Sequence, residues 1–397
     1  MRLRHTRRRG TLTATAATLL ALCAAQTLAA APSAGAAPAA PATTAAHSAR
    51  AHSATAEKVA TAQEQAARAL ARSLGDSAWR TRLRTAALKS DGVALTPLAA
   101  RANPGLQSRL AAADRAIATA KGLDAKAGPL LQLRLGDRSM RAALAAGATP
   151  WVAAATSDDD TNTVTAYDGL GRAHRLDARE APARPVYVVD IDSSKALAAG
   201  LDVLRKELVT KGVQSAAPGA VNTAPSNRTM TATTGGFWTT KIDAVELSND
   251  EEPWIKGAAE IYTLVTGFGQ DGKVRVDPVD MPYLDYDGTV YRPNQILVNW
   301  SYYKYNLADA VMMEDDGDTN YHDLAVAIAD ALLTITDQGA YIPLVNAVLN
   351  AIPTSWWTDD PDYVDSWYTL AQGNNGTYYG ARGNGWMTME PYWVQQF

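Results

Sequence analysis

Carboxylates are the residues of this chain whose spacing could do chemistry. Asn249, Asp250, Glu251 and Glu252 follow a β-like run, and Glu314, Asp315, Asp316, Gly317 and Asp318 form a second acidic tip. Asp280, Asp285 and Asp287 lie between them. Like charges gathered closely raise one another's pKa and oppose folding unless a cation neutralises them. Calcium is the natural cation, because it takes roughly six to eight oxygens from carboxylates, carbonyls and water on flexible loops. The expected ligands are Asn249, Asp250, Glu252, Asp315, Asp316 and Asp318. There is no EF-hand loop, so the expectation rests on which loops share an end. Two readings without metal stand beside it. Asp315, Asp316 and Asp318 directly precede a helical pattern, whose macrodipole favours negative charge, and the first tip reads equally as a solvated hairpin.

Other chemistries find less support. Zinc needs His, Cys or carboxylate ligands close together, yet only His174 and His322 lie outside the first 56 residues and there is no H-E-x-x-H. No G-x-S-x-G elbow and no Walker or Rossmann glycine pattern occurs. Gly75-Asp76-Ser77 lies in an arginine-rich helical pattern, which is the wrong setting for an esterase block. His322 beside Asp323 falls near a helix start, where a polar side chain faces solvent. Trp356-Trp357, followed by Asp359, Asp360 and Asp362, reads either as a sugar groove or as a core plug with a solvated turn behind it. No catalytic motif is recognisable.

The acidic tips need strands to hold them. Short aromatic-rich runs separated by turn residues predict strands over 237–247, 258–266, 274–279, 295–303 and 308–313, with further strands near 365–370 and 386–393. Two helices interrupt them, one from Asn320 to about Thr336 and one from Pro343. If the strands alternate in direction, the odd-numbered loops fall at one end. Those loops carry the acids named above, whereas the even loops, 267–273 and Tyr305-Asn306, hold only Asp271.

The preceding half has a different character. Residues 57–88 and 106–120 are patterned as helix, with Val59, Ala66, Leu70 and Leu74 on one face. β-like runs follow at 129–135, 151–155, 163–167, 172–176 and 185–191, with Asp168-Gly169 as a hairpin turn. A capped amphipathic helix then spans Ser193 to about Lys211.

Charge divides the two halves. Of 29 aromatic residues, 25 fall in 236–397, where 24 acidic residues face 7 Lys or Arg. Residues 41–235 hold 17 acidic against 25 basic. Opposite signs across the small, polar, proline-bearing stretch 213–236 predict two domains in intramolecular contact. Nucleic acid is a poor partner for the acidic half.

Five arginines precede an apolar run from Leu12 to about Ala31, followed by A-x-A sites, and residues 1–56 contain no Asp or Glu. This is the pattern of a secretory signal peptide, leaving the Sec or twin-arginine route open. Cys23, the only cysteine, lies within it, and no other stretch reads as a transmembrane span. The expected organisation is therefore a signal peptide over 1–37, a low-complexity tether over 38–56, a basic domain over 57–212, a linker over 213–236 and an acidic domain over 237–397.

The phrases EEPWIKGAAEIYTLV, VDMPYLDYDGTVYRPNQILVNWS and DDPDYVDSWYTL resemble a family of secreted bacterial proteins designated domain of unknown function 3103. Residues 163–192 resemble its N-terminal part, so the likeness covers most of the chain after the tether. The family implies no activity. The arrangement of acidic loops is also similar to C2-type sandwiches, where calcium sits at one tip. The expected fold is an α+β N-terminal domain followed by a mainly-β, C2-like sandwich with two inserted helices. The expected function is a secreted binding module that reaches lipid headgroups or glycans through calcium. An exported hydrolase with a propeptide-like basic half, and a structural protein of the cell envelope, are the alternatives.

Overall fold

The computed structural model describes residues 42–101, 103–156, 161–217, 235–248, 254–256, 259–315, 317, 319–352 and 363–396. The stretch read as a signal peptide and most of the stretch read as a linker lie outside them. So do Asn249, Asp250, Glu252, Asp316, Asp318 and the Trp356-Trp357 cluster with its three aspartates.

The N-terminal half opens with two helices, α1 (Ala42–Ser73) and α2 (Ser77–Lys89). α1 thus begins inside the stretch read as tether. The continuous helical pattern expected over 57–88 breaks at Asp76, whose carboxylate accepts the backbone N–H groups of Ala78 at 2.8 Å and Trp79 at 3.1 Å. An aspartate that satisfies two first-turn donors starts a new helix. There follow β1 (Val93–Ala94), α3 (Leu95–Ala100), α4 (Pro104–Ala120), β2 (Leu131–Leu135), α5 (Arg141–Ala145) and β3 (Trp151–Ala154). The half closes with β4 (Thr163–Tyr167), β5 (Ala173–Asp177), β6 (Val186–Ile191) and α6 (Ser193–Lys211). Gly212, at φ 103°, ends α6 in the left-handed conformation that only glycine adopts readily. The strands form one six-stranded sheet in the order β1-β2-β6-β3-β4-β5. β3 and β6 run parallel and every other pair is antiparallel.

The C-terminal half contributes β7 (Gly236–Leu247), β8 (Ile261–Phe268), β9 (Val274–Asp280), β10 (Gln295–Asn299), β11 (Leu307–Glu314), α7 (Tyr321–Leu332) and α8 (Val345–Ala351). After these come β12 (Tyr363–Ala371), β13 (Gly376–Tyr379) and β14 (Gly385–Gln395). They build two four-stranded antiparallel sheets, β10-β7-β14-β13 and β12-β11-β8-β9. Ile242 and Val245 of the first pack with Val265, Met312 and Trp367 of the second in a shared core. The chain is thus α+β, helix-rich at first and mainly antiparallel sheet afterwards.

The sheet containing β8 is covered on both faces. All eight residues of β8 are buried. Ile261 and Val265 face the other sheet, while Tyr262 and Leu264 join a cluster with Leu197, Leu201 and Leu204 of α6 and Leu324 and Ile328 of α7. A strand that buries both faces loses the apolar–polar alternation of a half-exposed one. That same cluster runs on to Leu70 of α1, Leu110 of α4 and Leu133 of β2, so the halves on either side of 213–236 share one core. Just past α6, the Gln214 N–H donates to the Val274 carbonyl at 3.1 Å, and Val276 N–H donates to the Gln214 carbonyl at 2.8 Å. This short pairing covers the outer edge of β9. No described helix is long and apolar enough to cross a membrane.

Candidate functional site

The strand register brings the start of β8 and the ends of β9 and β11 to one end of their sheet. Glu314 stands opposite Ile261, and Asp280 opposite Tyr262. What meets that end is the N-terminal half. Of the six expected calcium ligands only Asp315 is among the described residues, and it faces Lys121, which follows α4. The Lys121 ammonium donates to Asp315 Oδ1 at 3.1 Å and Oδ2 at 3.3 Å, and both side chains are 0% exposed. The Tyr321 hydroxyl donates to Oδ2 at 2.5 Å, and the Gly317 N–H to Oδ1 at 3.3 Å. Burial, followed by the neighbouring Asp315 charge, holds the Tyr321 hydroxyl well above the usual phenol range.

Neighbouring groups on the same end are met likewise. The Ser193 hydroxyl at the start of α6 donates to the Glu260 carboxylate. Arg134 of β2 donates to the carbonyls of Trp254, at 3.0 Å, and Ile255. Ile255 itself is fully buried in a cluster with Ala153 and Val186 of the N-terminal sheet and Met140 just before α5. Burial raises the Asp280 carboxyl, and the charge of Arg205 on α6 opposes that shift. Arg205 also donates to the Pro278 carbonyl at 2.7 Å. Among the described residues, no three His, Cys, Asp or Glu side chains gather closely enough to hold a metal ion.

A different surface has the form of a binding site. The outer face of the β10-β7-β14-β13 sheet carries an open groove of about 930 Å³, lined by Lys241, Tyr283, Tyr291, Asn294, Gln295 and Tyr392 among others. β14 pairs with β7 over its whole length and sets Tyr392 opposite Thr239 and Glu390 opposite Lys241. The loop from Pro282 to Asn294 folds back along β7, where Tyr291 and Val245 exchange backbone hydrogen bonds of 2.9 and 3.0 Å. That return sets the Tyr283 and Tyr291 rings 6.1 Å apart. The Tyr283 hydroxyl donates to Gln295 Oε1 at 2.5 Å, and Gln295 Nε2 donates to the Asp280 carbonyl at 2.7 Å. Lys241 pairs with Glu390 at 2.7 Å, bonds Asn294 Oδ1 at 3.3 Å and lies over the Tyr392 ring at 5.3 Å. The Glu390 hydrogen bond raises the Lys241 pKa, so the ammonium stays charged and is already neutralised by a neighbour. Tyr392 is 45% exposed, a large share for an aromatic ring in a strand.

The sequence points to none of the groove residues individually. Tyr283 and Tyr392 come together only because β14 pairs with β7, a contact between the two ends of the half. The cue available in advance was the density of Tyr and Trp, which reads equally as core.

His174 and His322 have structural surroundings. His174 accepts or donates with Asp168 at 3.2 Å and stacks on Trp151 at 4.0 Å. His322 is half exposed near Glu207, at 3.7 Å, and Asp323, at 3.4 Å.

Comparison with known proteins places these features in a family but gives them no activity. No curated protein and no solved structure matches the chain. The model of one family, described as protein of unknown function (DUF3103), matches residues 56–397, which includes every described strand and both surfaces above. The chain belongs to the DUF3103 family.

Proposed function

We propose that the protein is an exported binding module whose ligand is a glycan, held in the groove of Tyr283, Tyr291 and Tyr392. The observation that carries this reading is the exposed Tyr392 ring on a paired strand, facing two further tyrosines and a row of amide groups across one groove. Ligand sites are typically concave and aromatic, with a few placed polar groups. Tyrosine offers an apolar face and a polar tip together, which suits a sugar ring with its C–H faces and hydroxyl rim. Lys241 is paired with Glu390, and Arg292, which also lines the groove, pairs with Asp243 at 3.6 Å, so the groove has little surplus charge with which to select a phosphate. The signal-peptide pattern over 1–37 supports a place outside the cell, where such ligands are exposed.

Isothermal titration with soluble neutral and acidic polysaccharides tests the reading. Binding to at least one class is expected, with Tyr392→Ala weakening it by about tenfold or more while the thermal midpoint stays within a few degrees. Absence of binding across the panel, or full affinity in the variant, would overturn it.

One observation favours a second reading. The start of β8 and the end of β11 lie side by side, Glu314 opposite Ile261, which supports the calcium expectation. On that reading Asn249, Asp250, Glu252, Asp316 and Asp318 would carry the ion in a C2-like tip, with Asp315 occupied by Lys121, and calcium would bridge to lipid headgroups or glycans. Calcium would then raise the thermal midpoint and a chelator reverse the shift.

A further inference from the structure

The tyrosine groove stands at one end of a longer face. β14 runs without interruption along β7, the extra residue at their bulge, Asp243, lying on β7. Alternate side chains of β14 therefore share a side of the sheet. Met387 and Met389 are buried in the core between the two sheets, so Trp386, Thr388, Glu390 and Tyr392 point outward. β13 widens that face at the end away from the groove, setting Tyr379 opposite Trp386 and Thr377 opposite Thr388.

The far end repeats the chemistry of the groove. Tyr379 is 76% exposed, so its ring is a surface group with no part in the core. Trp386 Nε1 donates to Glu246 Oε2 at 3.1 Å, which fixes the indole across the strands. Between the two aromatic ends the Thr377 and Thr388 hydroxyls meet at 2.8 Å, and Lys241 pairs with Glu390. From Trp386 to Tyr392 the strand advances about 20 Å, at roughly 3.4 Å per residue. That is several sugar rings and not one.

We infer, on the reading that the groove binds a glycan, that its ligand is a neutral, unbranched, β-1,4-linked chain lying along β14. Tyr392 holds one end of it and the Trp386–Tyr379 pair the other. A β-1,4 linkage between equatorial positions makes an extended ribbon whose rings offer C–H faces to aromatic groups and hydroxyls to the polar groups between them. A coiled or branched chain leaves a straight strand after a unit or two. Charge argues for a neutral chain. Along this face and groove Asp243, Glu246 and Glu390 outnumber Lys241 and Arg292, and a negative surplus opposes an acidic glycan. Glucose and N-acetylglucosamine chains share the required shape.

Isothermal titration of the full-length protein with cello- and chito-oligosaccharides, from dimer to hexamer, tests the inference, with an oligogalacturonide and an α-linked malto-oligosaccharide as contrasts. In at least one β-1,4 series the hexamer should bind about tenfold or more tighter than the dimer. Tyr379→Ala, at an exposed position, should keep the thermal midpoint, remove most of that gain and leave the dimer unchanged. Tyr392→Ala should weaken both lengths. Equal affinity for dimer and hexamer, or a hexamer indifferent to Tyr379→Ala, would overturn the extended site while the loss in Tyr392→Ala upheld the groove. Binding confined to the acidic or α-linked chains would likewise overturn the inference and leave the groove standing. No binding of any glycan would remove both.

Discussion

Gly200→Ala is the substitution whose sign depends most directly on how the halves meet. In an ordinary helix the change is favourable by up to about 1 kcal/mol, through backbone entropy and helix propensity. Gly200 is different because a Cβ there would stand 2.2 Å from Cε2 and Cζ of Tyr321 and 2.4 Å from Cδ2. Ordinary contact begins at 3.4 Å, so the ring would have to retreat by more than 1 Å. It has little room to do so. Tyr321 is fully buried, its N–H is bonded to Lys121 and its hydroxyl to Asp315. Overpacking costs about 1–3 kcal/mol, and loss of a hydrogen bond to a charged group costs about 1.5–3 kcal/mol. Against the propensity gain, the net loss should be about 2–4 kcal/mol. Urea unfolding followed by tryptophan fluorescence and far-UV circular dichroism reads this as a lower midpoint with an unchanged slope. Gly105→Ala in α4 is the matched control, since its nearest neighbour would be Asn103 Oδ1 at an ordinary 3.8 Å. It should hold or gain about 0.5 kcal/mol. If Gly200→Ala also holds its midpoint, the packing of α6 on Tyr321 is wrong.

Asp365 and Asp337 give further tests. The Asp365 carboxylate is fully buried and accepts the backbone N–H groups of Ser366, Arg382, Asn384 and Gly385 at 2.7 to 3.0 Å. Asp365→Asn turns one of those acceptor positions into a donor, and should lower stability by about 2–4 kcal/mol in the same urea assay. The Lys304 ammonium first, then the Tyr305 hydroxyl and the Gly339 N–H, hold the Asp337 carboxyl down at about 2. Because the folded value lies below the unfolded value of about 3.9, this stabilisation is complete above that pH and is lost as pH falls through the folded value. The stability difference between wild type and Asp337→Asn should therefore shrink as pH is lowered from about 4 to about 2. A difference independent of pH across that window would mean that Asp337 is not ionised against Lys304.

Much of the fold was legible because its elements advertise themselves. Strands β2 to β12 and helix α6 lie within a few residues of where alternation and capping place them. Two signals were available and pass easily unnoticed. Gly75-Asp76-Ser77 is a helix stop followed by an N-cap, and it divides α1 from α2. IYTLVTGF, the whole of β8, has no regular polar alternation, which is the mark of a strand buried on both faces. By contrast, β13 is a short exposed hairpin strand whose Thr377 and Tyr379 face solvent, so hydrophobic patterning gives no reason to expect it.

The acidic end shows why strands were readable and the partner of a carboxylate was not. Antiparallel pairing of β11 with β8 puts Glu314 beside Ile261. The counter-charge depends on a contact 194 residues away in sequence. Nothing local distinguishes Lys121 from any other lysine at the end of an amphipathic helix. Its burial arises only when α4 delivers it to a site already lined by Asp315 and Tyr321. Counting carboxylates therefore identifies an end of the sheet that requires compensation, but not whether the solvent or the chain supplies the cation. For Asp315 the chain supplies it, and the basic surplus of residues 41–235 against the acidic surplus of 236–397 is the feature of composition in which that outcome was written.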